Sequence, residues 1–188
     1  GERRGGTVGF PLPGVELRVV GADGAILADG SVGGIEVRGP NVFAGYWRMP
    51  EKTSEEFTGD GWFRTGDLGV IDDLGYLSIV GRSKDLIISG GYNVYPAEIE
   101  AVCNEMPGVA ESAVVGVPHS DFGEAVVAVV VPRPGASVDA DALGRALKAR
   151  IANFKVPKAI FVVAELPRNA MGKVQKNRLR EQHAALFA

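Results

Sequence analysis

The chain has 188 residues, room for one ordinary domain or two small ones. Its 46% hydrophobic and 23% charged side chains belong to a chain that buries a core, which excludes a disordered or low-complexity polymer. The formal charge of −3 conceals an asymmetry: residues 1–81 hold seven basic and twelve acidic side chains, residues 82–188 thirteen and eleven. From Lys155 to Arg180 seven cations face one acid, Glu165. Charge alone would allow nucleic acid as a partner, but no nucleic-acid motif accompanies it, so a small phosphate-bearing molecule is the expectation.

No apolar run approaches the roughly 18 residues that span a bilayer, and no basic-then-apolar leader is found. A membrane is therefore not expected as a partner. The lone cysteine, Cys103, leaves no internal disulfide and suits a reducing, cytoplasmic compartment. Its place on an apolar helix face predicts core filler rather than a nucleophile. A start at Gly1 instead of Met predicts a processed, tagged or truncated product.

In chain order, residues 1–80 read as short strands between turns. Val15–Val20 and Ile35–Arg38 alternate apolar with polar, and Asp23-Gly24 and Asp29-Gly30 punctuate the space between them. Met49–Phe57 predicts one short helix. Leu68–Asp72 and Tyr76–Val80 flank Asp73-Leu74-Gly75, a hairpin signal. Beyond Gly81 the pattern changes. Leu86–Ile88 and Asn93-Val94-Tyr95 predict a hairpin closed by Gly90-Gly91. Pro96 suits the first position of a helix. Ile99, Val102, Cys103 and Met106 mark its buried face, and Pro107-Gly108 stops it. Ala113–Val117 and Ala125–Val131 are continuous β-branched runs, as in strands covered on both faces. Leu143, Leu147, Ile151 and Phe154 predict a second helix capped by Ser137 or Asp139. Ala159–Val163 predicts a further strand and Lys176–Leu186 a closing helix. The expected fold class is α+β: an all-β part over 1–81, a joint at 82–85, and a small α+β domain over 86–188.

Six residues draw chemical attention. Asp67 follows Thr65-Gly66 in an expected turn, where its carboxylate could hold two vicinal hydroxyls or cap its own backbone as an Asx turn. Arg82 offers a fork of donors to ribose and phosphate oxygens, or a surface ion pair with Asp85. Lys84 reads from its surroundings as a solvated lysine. Gly90 and Gly91 let a ligand approach bare backbone, or simply make a tight turn. Lys173 follows Met171-Gly172, a loop that could project its amine toward an anion. The ordinary alternative is a lysine opening a basic helix. Lys176, Arg178 and Arg180 would add positive field.

Four segments recur in order: Gly33–Thr53 with its Gly45-Tyr46-Trp47 and Pro50-Glu51, Arg64-Thr65-Gly66-Asp67-Leu68, Gly81–Glu100, and Pro167–Lys173. Together they resemble the adenylate-forming acyl-CoA synthetases from about Thr7 to Leu179. The resemblance implies the distal β-subdomain of a large adenylation domain, followed by a mobile C-terminal domain. It implies ATP with Mg2+, a carboxylic acid and coenzyme A as reactants. By the same resemblance Asp67 and Arg82 bind the nucleotide, Lys84 is the hinge, Gly90 and Gly91 line the coenzyme A path, and Lys173 is the catalytic lysine of adenylation. An exposed catalytic lysine also predicts a lysine acetyltransferase and deacetylase acting on Lys173. The phosphate-cradling loop, the glutamate that helps hold magnesium and the acyl pocket are not in this sequence and are expected upstream of Gly1; no metal ligand is assigned here.

The run Pro167-Arg168-Asn169-Ala170-Met171-Gly172-Lys173-Val174-Gln175-Lys176-Asn177 is most similar to the malonyl-CoA and methylmalonyl-CoA synthetases. Two other readings stay open at this point: an adenylation domain that loads a carrier protein, and a non-catalytic isolated fragment.

Overall fold

The computed structural model describes residues 4–187. Strands β1 (Glu16–Val20), β2 (Gly33–Arg38), β3 (Phe63–Ile71) and β4 (Leu77–Arg82) form an antiparallel sheet in chain order. Helix α1 (Pro50–Glu56) lies between β2 and β3 in sequence. The apolar side of the sheet is small: Val19, Ile35 and Leu77 are buried, with Leu17, Leu27, Val37 and Ile71 packed around them. At another point Trp62 lies beneath the guanidinium groups of Arg18 and Arg38, 4.2 and 4.6 Å from its ring centre. Glu36, nearly without solvent contact, accepts from Arg18 at 2.7 Å, so its buried charge is paired.

The β3–β4 turn forms where expected. Asp72 Oδ1 accepts from the N–H groups of Leu74 and Tyr76, and Gly75 supplies a φ of +83° that an L-residue with a side chain adopts at a cost. Both strands run longer than the expected Leu68–Asp72 and Tyr76–Val80. β2 extends the ladder outward, pairing Glu36 with Arg64 and Val37 with Phe63, and β3 in turn holds β4 as far as Arg82. Asp67 therefore stands inside a strand, not in the turn the sequence predicted.

A second compact unit begins at Asp85; the first ends at Lys84. Its strands are β5 (Ile87–Ser89), β6 (Tyr92–Val94), β7 (Val109–His119), β8 (Gly123–Pro132) and β9 (Ala159–Val162). The order is β6-β5-β8-β7. β9 joins β8 in parallel on the edge that β5 touches only at Ser89–Gly123. Helices α2 (Pro96–Asn104) and α3 (Ala140–Lys148) bring Ile99, Cys103, Leu143 and Leu147 onto one face, against Val114, Val126, Ala128 and Val130. Helix α4 (Lys176–His183) brings Leu179 to the other, where it joins Ala113, Val115, Val117, Val127, Val129 and Leu166. Two covered faces explain the unbroken β-branched runs, since odd and even positions both meet apolar neighbours. The α+β class holds, as sheets antiparallel except for β9, with helices flanking the second.

Two helices stop earlier than their spacing suggested. α3 ends at Lys148, where the N–H groups of Arg150 and Ile151 both turn back onto the Leu147 carbonyl. Pro157 then forces extended backbone at Val156, so the chain leaves for β9. Ile151 still packs on the core, but Phe154 stacks on Tyr92 with ring centres 4.7 Å apart. α4 ends at His183, and Leu186 is exposed. Of the two proposed caps for α3, Asp139 is the one: its Oδ1 accepts from Asp141 N and Ala142 N. No helix among the described residues is long and apolar enough to cross a membrane.

Cys103 is fully buried, and burial pushes its thiol up to about 11 from an ordinary 9.0. The folded chain should resist iodoacetamide at pH 8 and react fully in denaturant, as read by mass spectrometry. The unfolded thiol ionises first on raising pH. Its contribution to stability is thus intact below about 9 and should be lost between 9 and 11, lowering the urea midpoint across that window. Fast labelling of the folded chain would contradict this burial.

Candidate functional site

The six residues of interest divide between the units. Asp67 and Arg82 belong to the first, and the register of β3 with β4 sets them directly opposite each other. Arg82 Nε lies 2.9 Å from Asp67 Oδ1, with the arginine half exposed and the aspartate less so. The Thr65 hydroxyl donates to Ile35 O at 3.0 Å and accepts from Asp67 N at 3.1 Å. Gly66 between them has a φ of +74°, and β3 bulges at Leu68–Gly69. The local turn bond is thus made by the Thr65 hydroxyl, while the Asp67 carboxylate faces Arg82. The Arg82–Asp85 pair weighed from sequence does not form: Asp85 instead takes Arg180 from α4 at 2.6 Å. Lys84 is exposed within the short 3-10 turn Ser83–Asp85, at the last position of the first unit.

In the second unit Gly90 and Gly91 make the two-residue connection of β5 to β6, with φ of +58° and +81°. Positive φ at both positions is the hairpin geometry that favours glycine. Gly90 N donates to Phe122 O at 2.8 Å, which docks the turn beside the β7–β8 connection. A Cβ on Gly91 would meet nothing within 4 Å, so this backbone lies open. His119, at the end of β7, accepts from Asp121 N through Nδ1 and packs against Phe122 and Phe187, a capping role.

Lys173 sits in a loop that spacing alone did not explain. Asn169 Oδ1 accepts from Met171 N at 3.0 Å and Lys173 N at 2.9 Å, an Asx arrangement in which the Asn169 N–H also donates to Lys173 O. Gly172 supplies a φ of +77°. Arg168 donates to Gly172 O at 2.7 Å with one amino group and pairs with Glu111 of β7 through the other. Sequence reading passed over Arg168, Asn169 and Glu111. The asparagine at the head of Asn-Ala-Met-Gly carried a turn signal, whereas the Arg168–Glu111 contact spans 57 positions and left none.

The basic stretch is less basic than its composition. Lys155 pairs with Glu98, Arg168 with Glu111, Lys176 with Glu100 and Arg180 with Asp85. The extra field expected from Lys176 and Arg180 is therefore offset by acids within the same unit. The exposed Lys173 ammonium makes no ion pair among the described residues. The Lys173 loop is tied to Glu111 near the start of β7, whereas Gly90 abuts Phe122 past its end. The eight residue steps of strand from Glu111 to His119 put about 26 Å between these anchor points. No group of three or more His, Cys, Asp or Glu side chains among the described residues could hold a metal ion.

Residues 98–173 match the family described as the AMP-binding enzyme C-terminal domain, and residues 1–47 match that of the AMP-binding enzyme. The chain is 48% identical over 180 residues to the indoleacetate–CoA ligase of Aromatoleum aromaticum, covering 96% of this chain and 35% of that protein. It is 47% identical to the sulfoacetate–CoA ligase of Cupriavidus necator, with 95% of this chain and 35% of the relative aligned. The crystal structure of ATP-bound MatB from Rhodopseudomonas palustris matches all of this chain and 38% of its own, with a TM-score of 0.93 and 56% identity. The chain thus spans about a third of the length of the relatives it matches. With a strand-bound Asp–Arg pair, an open glycine turn, a projected lysine and both family matches in one 188-residue sequence, the chain belongs to the AMP-binding, adenylate-forming enzyme family as its C-terminal portion.

Proposed function

We propose that this chain supplies the nucleotide-clasping edge and the moving lobe of a cytoplasmic, AMP-forming acid–thiol ligase. A carboxylate oxygen attacks the α-phosphate of ATP, pyrophosphate leaves, and an acyl-adenylate forms; the thiol of coenzyme A then displaces AMP. In the first step two anions are pressed together as charge builds between them. Lys173 places its ammonium there, where a cation lowers the Coulomb cost of approach. Asp67 accepts from the ribose hydroxyls, and Arg82, held opposite it in the ladder, donates to nucleotide oxygens. ATP brings Mg2+ to the reaction, but this chain's residues are assigned to the organic reactants and no step is carried by donors of its own.

The observation that supports this reading most is the separation of the two candidate surfaces. The Lys173 loop and the Gly90–Gly91 turn are fastened to opposite ends of one β7–β8 ladder. One rigid lobe offers them to a single reaction centre only in succession, by turning. Lys84, the last residue of the first unit, is the proposed pivot. After the turn the open backbone at Gly91 faces the thin, neutral pantetheine arm, where a side chain would obstruct.

Malonate or methylmalonate is the proposed acid. The Pro167–Asn177 resemblance to the malonyl-CoA and methylmalonyl-CoA synthetases supports it, as does 56% identity to MatB across the whole chain. In an enzyme carrying this chain, Lys173→Ala should cut malonate-dependent pyrophosphate exchange by about a thousandfold. The same variant should convert supplied malonyl-adenylate to thioester within about twofold of the parent. Equal loss of both half-reactions would overturn the division of labour.

Two further outcomes follow from the same assignment. Free coenzyme A should serve as acceptor, read by thioester chromatography; transfer only to a pantetheinylated carrier protein would refute it. Acetylation of Lys173 by a lysine acetyltransferase should remove the charge that adenylation requires, and a deacetylase should restore it. A fully acetylated enzyme with unchanged exchange rate would refute that regulation.

A further inference from the structure

We propose that Arg168 and Glu111 are positioning residues that aim Lys173. The inference rests on the assignment of Lys173 to adenylation and goes beyond it, because neither residue reaches the reactants in this scheme.

The Lys173 loop has one apolar attachment, at its base, where the half-buried Val174 packs against the Leu166–Leu179 cluster. Met171 at its tip is exposed, and the nearest buried side chains, Leu166 and Leu179, lie outside the turn. Its internal bonds, donated by the Met171 and Lys173 amides to Asn169 Oδ1, shape the loop but do not fix it to the sheet. Arg168 performs that task. One amino group holds the Gly172 carbonyl, adjacent in the chain to Lys173, and the other meets the Glu111 carboxylate on β7. A planar guanidinium keeps its two amino groups at a fixed separation, so the arrangement links the peptide preceding Lys173 to a strand buried through most of its length. Glu111 is itself set by the ladder, opposite Val131 beside a bulge.

An ion pair this exposed contributes little to stability. Its consequence is geometric. A long, flexible lysine needs its Cα fixed if the ammonium is to meet developing charge, and misplacement by roughly 1 Å costs up to a hundredfold in rate. Without the link the Asn169 turn, and with it the Lys173 amide bonded to Asn169 Oδ1, opens more often and loses its fixed orientation against β7. Lysine in place of Arg168 reaches either the carbonyl or the carboxylate, and so restores part of the effect at most.

The test uses a complete enzyme that contains this chain, with Arg168→Met, Arg168→Lys, Glu111→Ala and Lys173→Ala compared. Arg168→Met and Glu111→Ala should each lower the maximal rate of pyrophosphate exchange about tenfold or more, with KM for ATP within about twofold. Thioester formation from supplied acyl-adenylate should stay within about twofold, and Arg168→Lys should recover an intermediate rate. Hydrogen exchange should show faster opening of the Lys173 amide in Arg168→Met, with β7 amides unchanged. If Lys173→Ala abolishes exchange while Arg168→Met and Glu111→Ala retain the parental rate, the positioning role is refuted and the lysine's role stands. Parallel loss of both half-reactions in those two variants also refutes it, because it marks a general structural contribution. If Lys173→Ala itself adenylates at the parental rate, the underlying assignment fails instead.

Discussion

The β7–β8 ladder is the constraint on which the second unit depends. Ten residue pairs hold it in register, and its two faces are covered by different helices. Such a strand pair cannot slip by one residue, because a shift would exchange every side chain between the two cores. Its length and rigidity separate the two ends of the unit. The glycine turn is docked at the His119–Gly123 end and the lysine loop at the Glu111–Val131 end. A shorter or less rigid ladder would let the two surfaces drift toward each other.

The first unit solves a different problem with fewer apolar groups. Its sheet positions a carboxylate and a guanidinium by register, and the register in turn depends on polar contacts. Glu36 pairs with Arg18 and faces Arg64 across β2 and β3, while the Thr65 hydroxyl reaches Ile35 O. These bonds lie on the strand segment just before Asp67. Losing Arg18 would leave the buried Glu36 only the longer contact to Arg64 Nε at 3.6 Å, so the near pair is difficult to lose separately. Gly69 fits the same scheme: a Cβ there would stand 2.7 Å from Ile35 Cδ1 and 2.8 Å from Ser78 O. The bulge needs a residue with no side chain.

What could be read from sequence follows the range of each interaction. The Asp73-Leu74-Gly75 hairpin, the Gly90-Gly91 turn and the apolar face of α2 are local patterns, and they were legible. The doubly covered strands announced themselves through unbroken valines. Helix ends were less legible: Ile151 and Phe154 keep the helical spacing of α3, but Pro157 turns the chain away. The local sequence points Asp67 to a turn, because the strand that lengthens β3 lies some thirty residues upstream and no local signal carries that distance. The same reason hid Glu111. Roles for Lys84 and Lys173 came only from family resemblance, since a lysine's spacing says nothing of its chemistry.

The basic stretch shows why counting charge misleads at this scale. Seven cations suggest a broad field, yet four are engaged by Glu98, Glu111, Glu100 and Asp85 at ion-pair distance. Two opposite charges about 4 Å apart attract by about 4 kcal/mol near a protein surface, and beyond a Debye length of about 10 Å the pair looks nearly neutral. Each pair adds little to stability, but each removes one cation from competition for a passing anion. Lys173 differs from these four in making no ion pair among the described residues, as do Lys158 and Arg178. Acids beside four of the seven cations thus narrow the set able to meet a passing anion to Lys158, Lys173 and Arg178, and do not by themselves select one of the three.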